Sequence, residues 1–235
     1  MLFNIRKISK VNNYFVIKLK NNTIFQIRNF MDLWTLIETY VNNDYQKYGT
    51  NIGSGWIIID IGAAFGDFTV LAAQKSPLNQ IIAVEPLPSS LKLLRQNIKS
   101  NHLKNIKIFS GGISSVRNKI NISEDNKNYG HSQTSKKSPL TASAISLNKL
   151  FSKYKILHCD LIKCDCEGAE YDIFLNLSPK TYQKIDRIVM EYHLFDSNSY
   201  RKFKLLKSIF KKNNYQLKVF PNPVHSNLGF LYAYK

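Results

Sequence analysis

Residues 56–85 read WIIIDIGAAFGDFTVLAAQKSPLNQIIAVE, and that order of residue types leaves few folds open. The apolar run 56–59 has the length and composition of a strand, and it ends in Asp60. Gly62 and Gly66 mark a turn, a helical pattern follows from Asp67 to about Lys75, and Pro77 breaks it. A second apolar run, 81–84, closes on Glu85. The unit is strand–turn–helix–strand, with a carboxylate at the C-terminal tip of each strand.

The alternation continues downstream. Leu87, Leu91, Leu94 and Ile98 share one helical face behind Pro88-Ser89-Ser90. Residues 106–109 read as a third strand closed by Gly111-Gly112, 161–164 as a fourth ending at Asp165, and 185–190 as a fifth leading into Glu191-Tyr192-His193. Glu170, Tyr171 and Asp172 open a short helix that stops before Pro179, and Tyr200, Phe203, Leu206 and Phe210 stripe another. Runs 217–220 and 228–234, joined by the turn-rich 221–227, read as a closing antiparallel hairpin. Ahead of the unit, runs 14–20 and 23–28 joined by Asn21-Asn22 read as a β-hairpin, and Asp32 is the expected cap of the helix after it. Residues 123–139 are polar and aperiodic, the composition of a long loop and a candidate lid. The expected organisation is a hairpin-and-helix extension over residues 1–50 and one main domain over 51–235.

Such alternation implies an α/β fold, a mostly parallel sheet with helices on both faces. Ligands of such sheets bind beyond the carboxyl ends of the strands, where strand order reverses. Asp60, Glu85, Asp165 and Glu191 all stand at such ends.

The chain carries 33 Lys and Arg against 16 Asp and Glu, a net charge of +17, which favours anionic partners. The lysines are spread along the chain among many Asn and Ile, so the charge reads as compositional bias more than as a built binding face. No run approaches the ~20 apolar residues of a membrane span, and no apolar signal region follows the basic start, so a soluble, cytoplasmic chain is expected. Cys159, Cys164 and Cys166 read as free thiols, and C-x-C spacing fits zinc patterns poorly, so no metal is assigned to them.

The turn after the first strand decides the cofactor class. A dinucleotide site uses G-x-G-x-x-G, whose backbone approaches a pyrophosphate. Here the spacing is G-x-x-x-G (Gly62, Ala63, Ala64, Phe65, Gly66) behind Asp60, whose charge repels a pyrophosphate and suits a cation. S-adenosylmethionine presents an ammonium and a sulfonium at such a point. Glu85, about 20 residues on, suits the acid that accepts from ribose hydroxyls.

DIGAAFGDFT, AVEP and IKCDCEGAEYDIF resemble the motifs of the FkbM-type methyltransferases, a class I branch that uses S-adenosylmethionine. The resemblance runs from about Trp56 to the C-terminus, and the stretch after the fourth strand is its most specific part. It implies a Rossmann-like, seven-stranded sheet whose last strand is antiparallel, and methyl transfer to a hydroxyl of a sugar, glycan or other small metabolite. It maps the cofactor loop onto Asp60, Gly62, Gly66 and Phe68, with Ala63 and Phe65 between the glycines. Glu85 and Pro86 match the ribose acid and its follower, and Gly112 and Ile113 the adenine side. Asp165, Glu167, Gly168 and Glu170 match the signature after strand four. Ala64-Phe65 replaces the usual Asn-Ile pair.

Methyl transfer to oxygen is an in-line displacement helped mostly by alignment, with a base adding about 10²–10⁴-fold. Asp165, Glu191 and His193 are the base candidates, Asp165 being also a candidate to hold the methionine end of the cofactor, and Glu191 and His193 point to one side of their strand. A magnesium ion bridging Asp165, Glu191 and substrate is compatible with the ligand types but not demanded. Two rivals stand. RNA methylation suits the net charge, but Cys164-Asp165-Cys166-Glu167 replaces the Asn/Asp-Pro-Pro-Tyr type motif of base-amine methylation and repels phosphate, so a specific nucleic-acid partner is not expected. A non-catalytic nucleotide-binding module is the other.

Overall fold

The computed structural model describes residues 5–47, 51–124, 132–133 and 140–235. An antiparallel sheet opens the chain: β1 (Ile5–Val11), β2 (Tyr14–Leu19) and β3 (Ile24–Ile27). The expected hairpin is its β2–β3 half. Strand β1 is mostly exposed and carries IRKISKV, too polar to announce a strand by itself. Helix α1 (Phe30–Ile37) runs into a π-helical turn, Glu38–Asn42. Its cap is Asn29, whose side chain accepts from the Met31 and Asp32 N–H groups. Asp32, the expected cap, instead grips the Arg28 guanidinium through both carboxylate oxygens, at 2.8 and 2.9 Å.

The main body alternates as the sequence implies. It comprises β4 (Ile57–Ile61), α2 (Asp67–Lys75), β5 (Gln80–Glu85), α3 (Pro88–Ser100) and β6 (Ile106–Ser110). Short strands β7 (Gly112–Ile113), β8 (Lys119–Glu124), β9 (Ser132–Gln133) and β10 (Leu140–Ile145) form a small side sheet. Of the loop expected over 123–139, residues 125–131 and 134–139 lie outside the described residues. Then come α4 (Leu147–Lys153), β11 (Leu161–Cys164), α5 (Glu170–Leu175), α6 (Pro179–Tyr182), β12 (Arg187–His193), α7 (Ser197–Lys212), β13 (Gln216–Pro221) and β14 (Leu228–Tyr234).

Seven strands lie in the order β13–β14–β12–β11–β4–β5–β6. Strand β14 pairs antiparallel with both β12 and β13, between which it inserts, and the other pairs are parallel. The central strands are apolar on both sides because both faces are covered. On one face Ile59, Ile162, Ile188 and Leu231 pack with Phe174, Leu206 and Phe210 from α5 and α7. On the other, Ile58, Leu161 and Val189 pack with Phe68, Ala72 and Ala73 of α2.

The N-terminal sheet and α1 dock on α2, α3 and the turn before α2 through Ile17, Phe25 and Leu36 against Val70, Leu93 and Phe65. An edge strand needs partners for its free backbone groups. Two asparagines of α3 supply them: Asn97 donates to the Gln26 carbonyl oxygen and accepts from its N–H, and Asn101 does the same for Ile24. Asn97 also donates to the Phe65 carbonyl oxygen at 2.8 Å, so one buried amide ties the extension to the turn after β4.

Candidate active site

Strand order reverses between β4 and β11, and a cavity of about 460 Å3 opens over their carboxyl ends. Its floor is the turn after β4. Gly62 and Ala63 both donate to the Val84 carbonyl oxygen at 3.0 Å, folding the turn over β5. Gly62 takes φ +77°, and a Cβ there would collide with the Asp165 carbonyl oxygen, so only glycine fits. The Ala64 N–H donates to Glu85 Oε2 and the Leu87 N–H to Glu85 Oε1, each at 2.8 Å. One carboxylate thus clamps two backbone segments while lining the cavity.

Glu85 is 4% exposed. Burial, only partly countered by the two N–H donors, raises its carboxyl from 4.5 to about 7. The folded chain therefore keeps a proton that the unfolded chain releases, and stability falls as pH rises from about 4.5 to about 7, then stays low. In cofactor-free protein, the stability of wild type relative to Glu85→Ala is expected to drop by about 3 kcal/mol over that window. Urea unfolding across the pH range measures it, and a pH-independent difference would contradict a proton-holding Glu85.

The N-terminal extension supplies one wall through Arg28, Met31, Asp32 and Thr35. Gly112, Ile113, Ile120 and Ile122 make an apolar wall opposite, from the side sheet. At the third side stands the turn after β11, with Asp165, Cys166, Glu167 and Gly168. Glu170 is buried beneath this turn, and its Oε1 accepts from the Cys166 and Gly168 N–H groups at 3.0 and 3.1 Å. Asp165 accepts a hydrogen bond from the Tyr45 hydroxyl at 2.9 Å, so the extension also reaches this end.

Asp60 does not line the cavity. Lys163 is its register partner on β11, and both side chains point towards α2. Lys163 Nζ lies 3.4 Å from Asp60 Oδ1 and donates to the Gly62 carbonyl oxygen at 2.9 Å. Thr69 of α2 donates to Asp60 Oδ2 at 2.5 Å. Burial opposes the lysine charge, but Asp60, Asp165 and Asp67 outweigh it and hold the ammonium well above its usual range. The first acid thus meets a cation as expected, but the cation belongs to the chain. Ala63 and Gly66 of the turn and Phe68 of α2 likewise do not line the cavity, whereas Gly62, Phe65, Glu85, Pro86, Gly112, Ile113 and Asp165 do.

Of the three base candidates only Asp165 is on the cavity wall. His193 is buried behind it, with Nε2 3.4 Å from Glu167 Oε2 and Nδ1 3.2 Å from Glu170 Oε1. Burial opposes its protonation, but Glu170, then Asp165 and Glu167, outweigh it and raise the imidazole to about 9. Burial, then the Asp165 charge, raises the Glu191 carboxyl well above the usual range. The cysteines are free, and Cys166 lies in the turn beyond β11, where it lines the cavity. Two clusters of described residues have the ligand types and spacing for a metal: Asp165, Glu167 and His193, and the more exposed His158, Asp160 and Asp186.

Sequence reasoning missed Lys163 and Tyr45. The signal for Lys163 was present: a lysine inside the otherwise apolar strand LIKC. Tyr45 gave none, because its partner Asp165 is 120 residues away.

The methyltransferase FkbM domain model matches residues 60–217. The chain belongs to the FkbM methyltransferase family. A methyltransferase FkbM from Methylobacillus flagellatus has a similar fold (TM-score 0.51, 16% identity, 81% of this chain and 46% of that one). So do Aeropyrum pernix fibrillarin with bound S-adenosylmethionine (0.50, 12%, 97% and 98%) and an rRNA methylase from Streptococcus thermophilus (0.50, 11%, 78% and 89%). No curated protein matches the chain in sequence. As an FkbM methyltransferase, the chain takes its methyl group from S-adenosylmethionine. Its fold is that of the class I methyltransferases. Among the described residues no helix is long and apolar enough to cross a membrane.

Proposed function

We propose that this methyltransferase acts on a hydroxyl oxygen of a sugar, glycan or other small metabolite. The observation that carries the reading is the chemistry of the cavity's third side. Asp165 and Glu167 stand there, with Asp172 also on the lining, so an acceptor meets carboxylates. A polyol satisfies carboxylates by donating hydroxyl hydrogen bonds, whereas a phosphodiester is repelled. In this reading the cofactor's ribose hydroxyls donate to Glu85, its adenine lies against Gly112 and Ile113, and its methionine end lies over Gly62 and Phe65. Asp60 acts from beneath, through Lys163 and the turn. Asp165, oriented by Tyr45, aligns the acceptor hydroxyl and takes its proton as the methyl group moves in line.

RNA methylation is the second reading, favoured by the +17 charge and by the fold shared with an rRNA methylase. Incubating a cell extract with methyl-labelled S-adenosylmethionine and identifying the labelled product by mass spectrometry separates the two. Label in a small hydroxylated product is expected, and label only in RNA would overturn the reading. Asp165→Ala is expected to keep cofactor binding and lose about 10²-fold or more in turnover. Unchanged turnover would remove Asp165 from the role.

A further inference from the structure

The chain is strongly basic, yet five of its 16 carboxylates gather at one wall of the cavity: Asp165 and Glu167 on the lining, and Glu38, Glu170 and Glu191 off it. Within this group His193 carries a side chain only 4% exposed. Its Nδ1 is buried and faces Glu170 Oε1 at 3.2 Å, while Glu170 Oε2 is buried with no hydrogen-bond partner among the described residues. Nε2 points the other way, 3.4 Å from Glu167 Oε2. Ligand atoms from Asp165, Glu167 and His193 all lie within 4.8 Å of one another. Adjacent ligands of an octahedral ion, each about 2.1 Å from it, stand about 3 Å apart, close to the Glu167–His193 spacing. A buried imidazole turned towards one carboxylate while a second carboxylate backs its other nitrogen is the arrangement that orients a metal-binding histidine.

We propose that Asp165, Glu167 and His193 bind a divalent metal ion at the acceptor end of the cavity, with Glu170 orienting the imidazole. One nitrogen and two carboxylate ligands suit a borderline ion such as manganese, iron or zinc better than magnesium. The set differs from the Asp165–Glu191 bridge that the sequence alone suggests. Histidine replaces Glu191 because, among the described residues, the ligand atoms that gather within 4.8 Å are those of Asp165, Glu167 and His193, without Glu191. Asp165 and Glu167 line the cavity, so the ion's remaining positions face it. An acceptor hydroxyl, or two vicinal ones, would bind there and be polarised by the ion. That last point rests on the methyltransferase reading above, whereas the binding of the ion does not.

The test titrates Mn2+ into cofactor-free, metal-stripped protein and follows free Mn2+ by electron paramagnetic resonance. One saturable site per chain is expected. Glu167→Gln and His193→Ala should each weaken it at least about 10-fold while S-adenosylmethionine affinity, measured by calorimetry, is kept. Glu167 stands on the cavity wall, so its variant remains informative if removal of the buried histidine unfolds the chain. The bound ion should show nitrogen spin-echo modulation from one imidazole. His158→Ala should leave both signals unchanged. No saturable site in wild type, or one that survives Glu167→Gln and disappears in His158→Ala, overturns the proposal. Failure of wild type to bind S-adenosylmethionine would instead strike the methyltransferase reading.

Discussion

Lys163→Met is expected to destabilise the protein by about 3–5 kcal/mol, the cost of leaving a buried charge without its partner. Lys163 is 3% exposed and Asp60 fully buried, with Asp67 close by in the first turn of α2. Without the ammonium, Asp60 keeps, among the described residues, only the Thr69 hydrogen bond on one oxygen. The Gly62 carbonyl oxygen would lose its lysine donor as well, so the cofactor turn should loosen together with the core. Adding Asp60→Asn removes the stranded charge, and the double variant should be more stable than Lys163→Met alone. Urea unfolding of the wild type, both single variants and the double variant measures the coupling. Simple additivity of the two single effects would mean that the pair is not a structural unit.

Glu85→Ala is expected to weaken S-adenosylmethionine binding by about 10²–10³-fold. The variant removes the acceptor of two backbone N–H groups, Ala64 and Leu87, and with it the proposed partner of the ribose hydroxyls. Above about pH 7, where Glu85 is charged, hydrogen bonds to it contribute about 1.5–3 kcal/mol each, so losing one or two at the cofactor accounts for that range. Calorimetry reads the change. Affinity within about threefold of wild type would mean that the cofactor does not reach Glu85.

The two variants separate roles that the sequence presents as alike. In the sequence Asp60 and Glu85 each close an apolar run, and the linear pattern offers no way to rank them, whereas in the sheet Asp60 pairs with Ala83 and Glu85 lies two residues further on. In the folded chain Glu85 reaches into the cavity while Asp60 turns beneath the turn to Lys163. The deciding fact is parallel register: Lys163 sits opposite Asp60 on β11, on the same face of the sheet. Register between strands about 100 residues apart is set by the packing of both sheet faces.

What the sequence alone determined is the local unit and its consequences. Strand-length apolar runs, the Gly62–Gly66 spacing and the Pro88 start of α3 dictate strand, turn and helix through short-range sterics and burial, and the alternation dictates the parallel sheet. The motifs after β4 and β11 carry the family. Only tertiary structure decided which acids see the cavity. The same holds for the polar strands β8 and β10, whose pairing spans about 20 residues or more, and for Tyr45 of the extension, whose hydroxyl reaches Asp165. Contacts between residues far apart in the chain depend on how all the layers pack at once, and no local pattern encodes that.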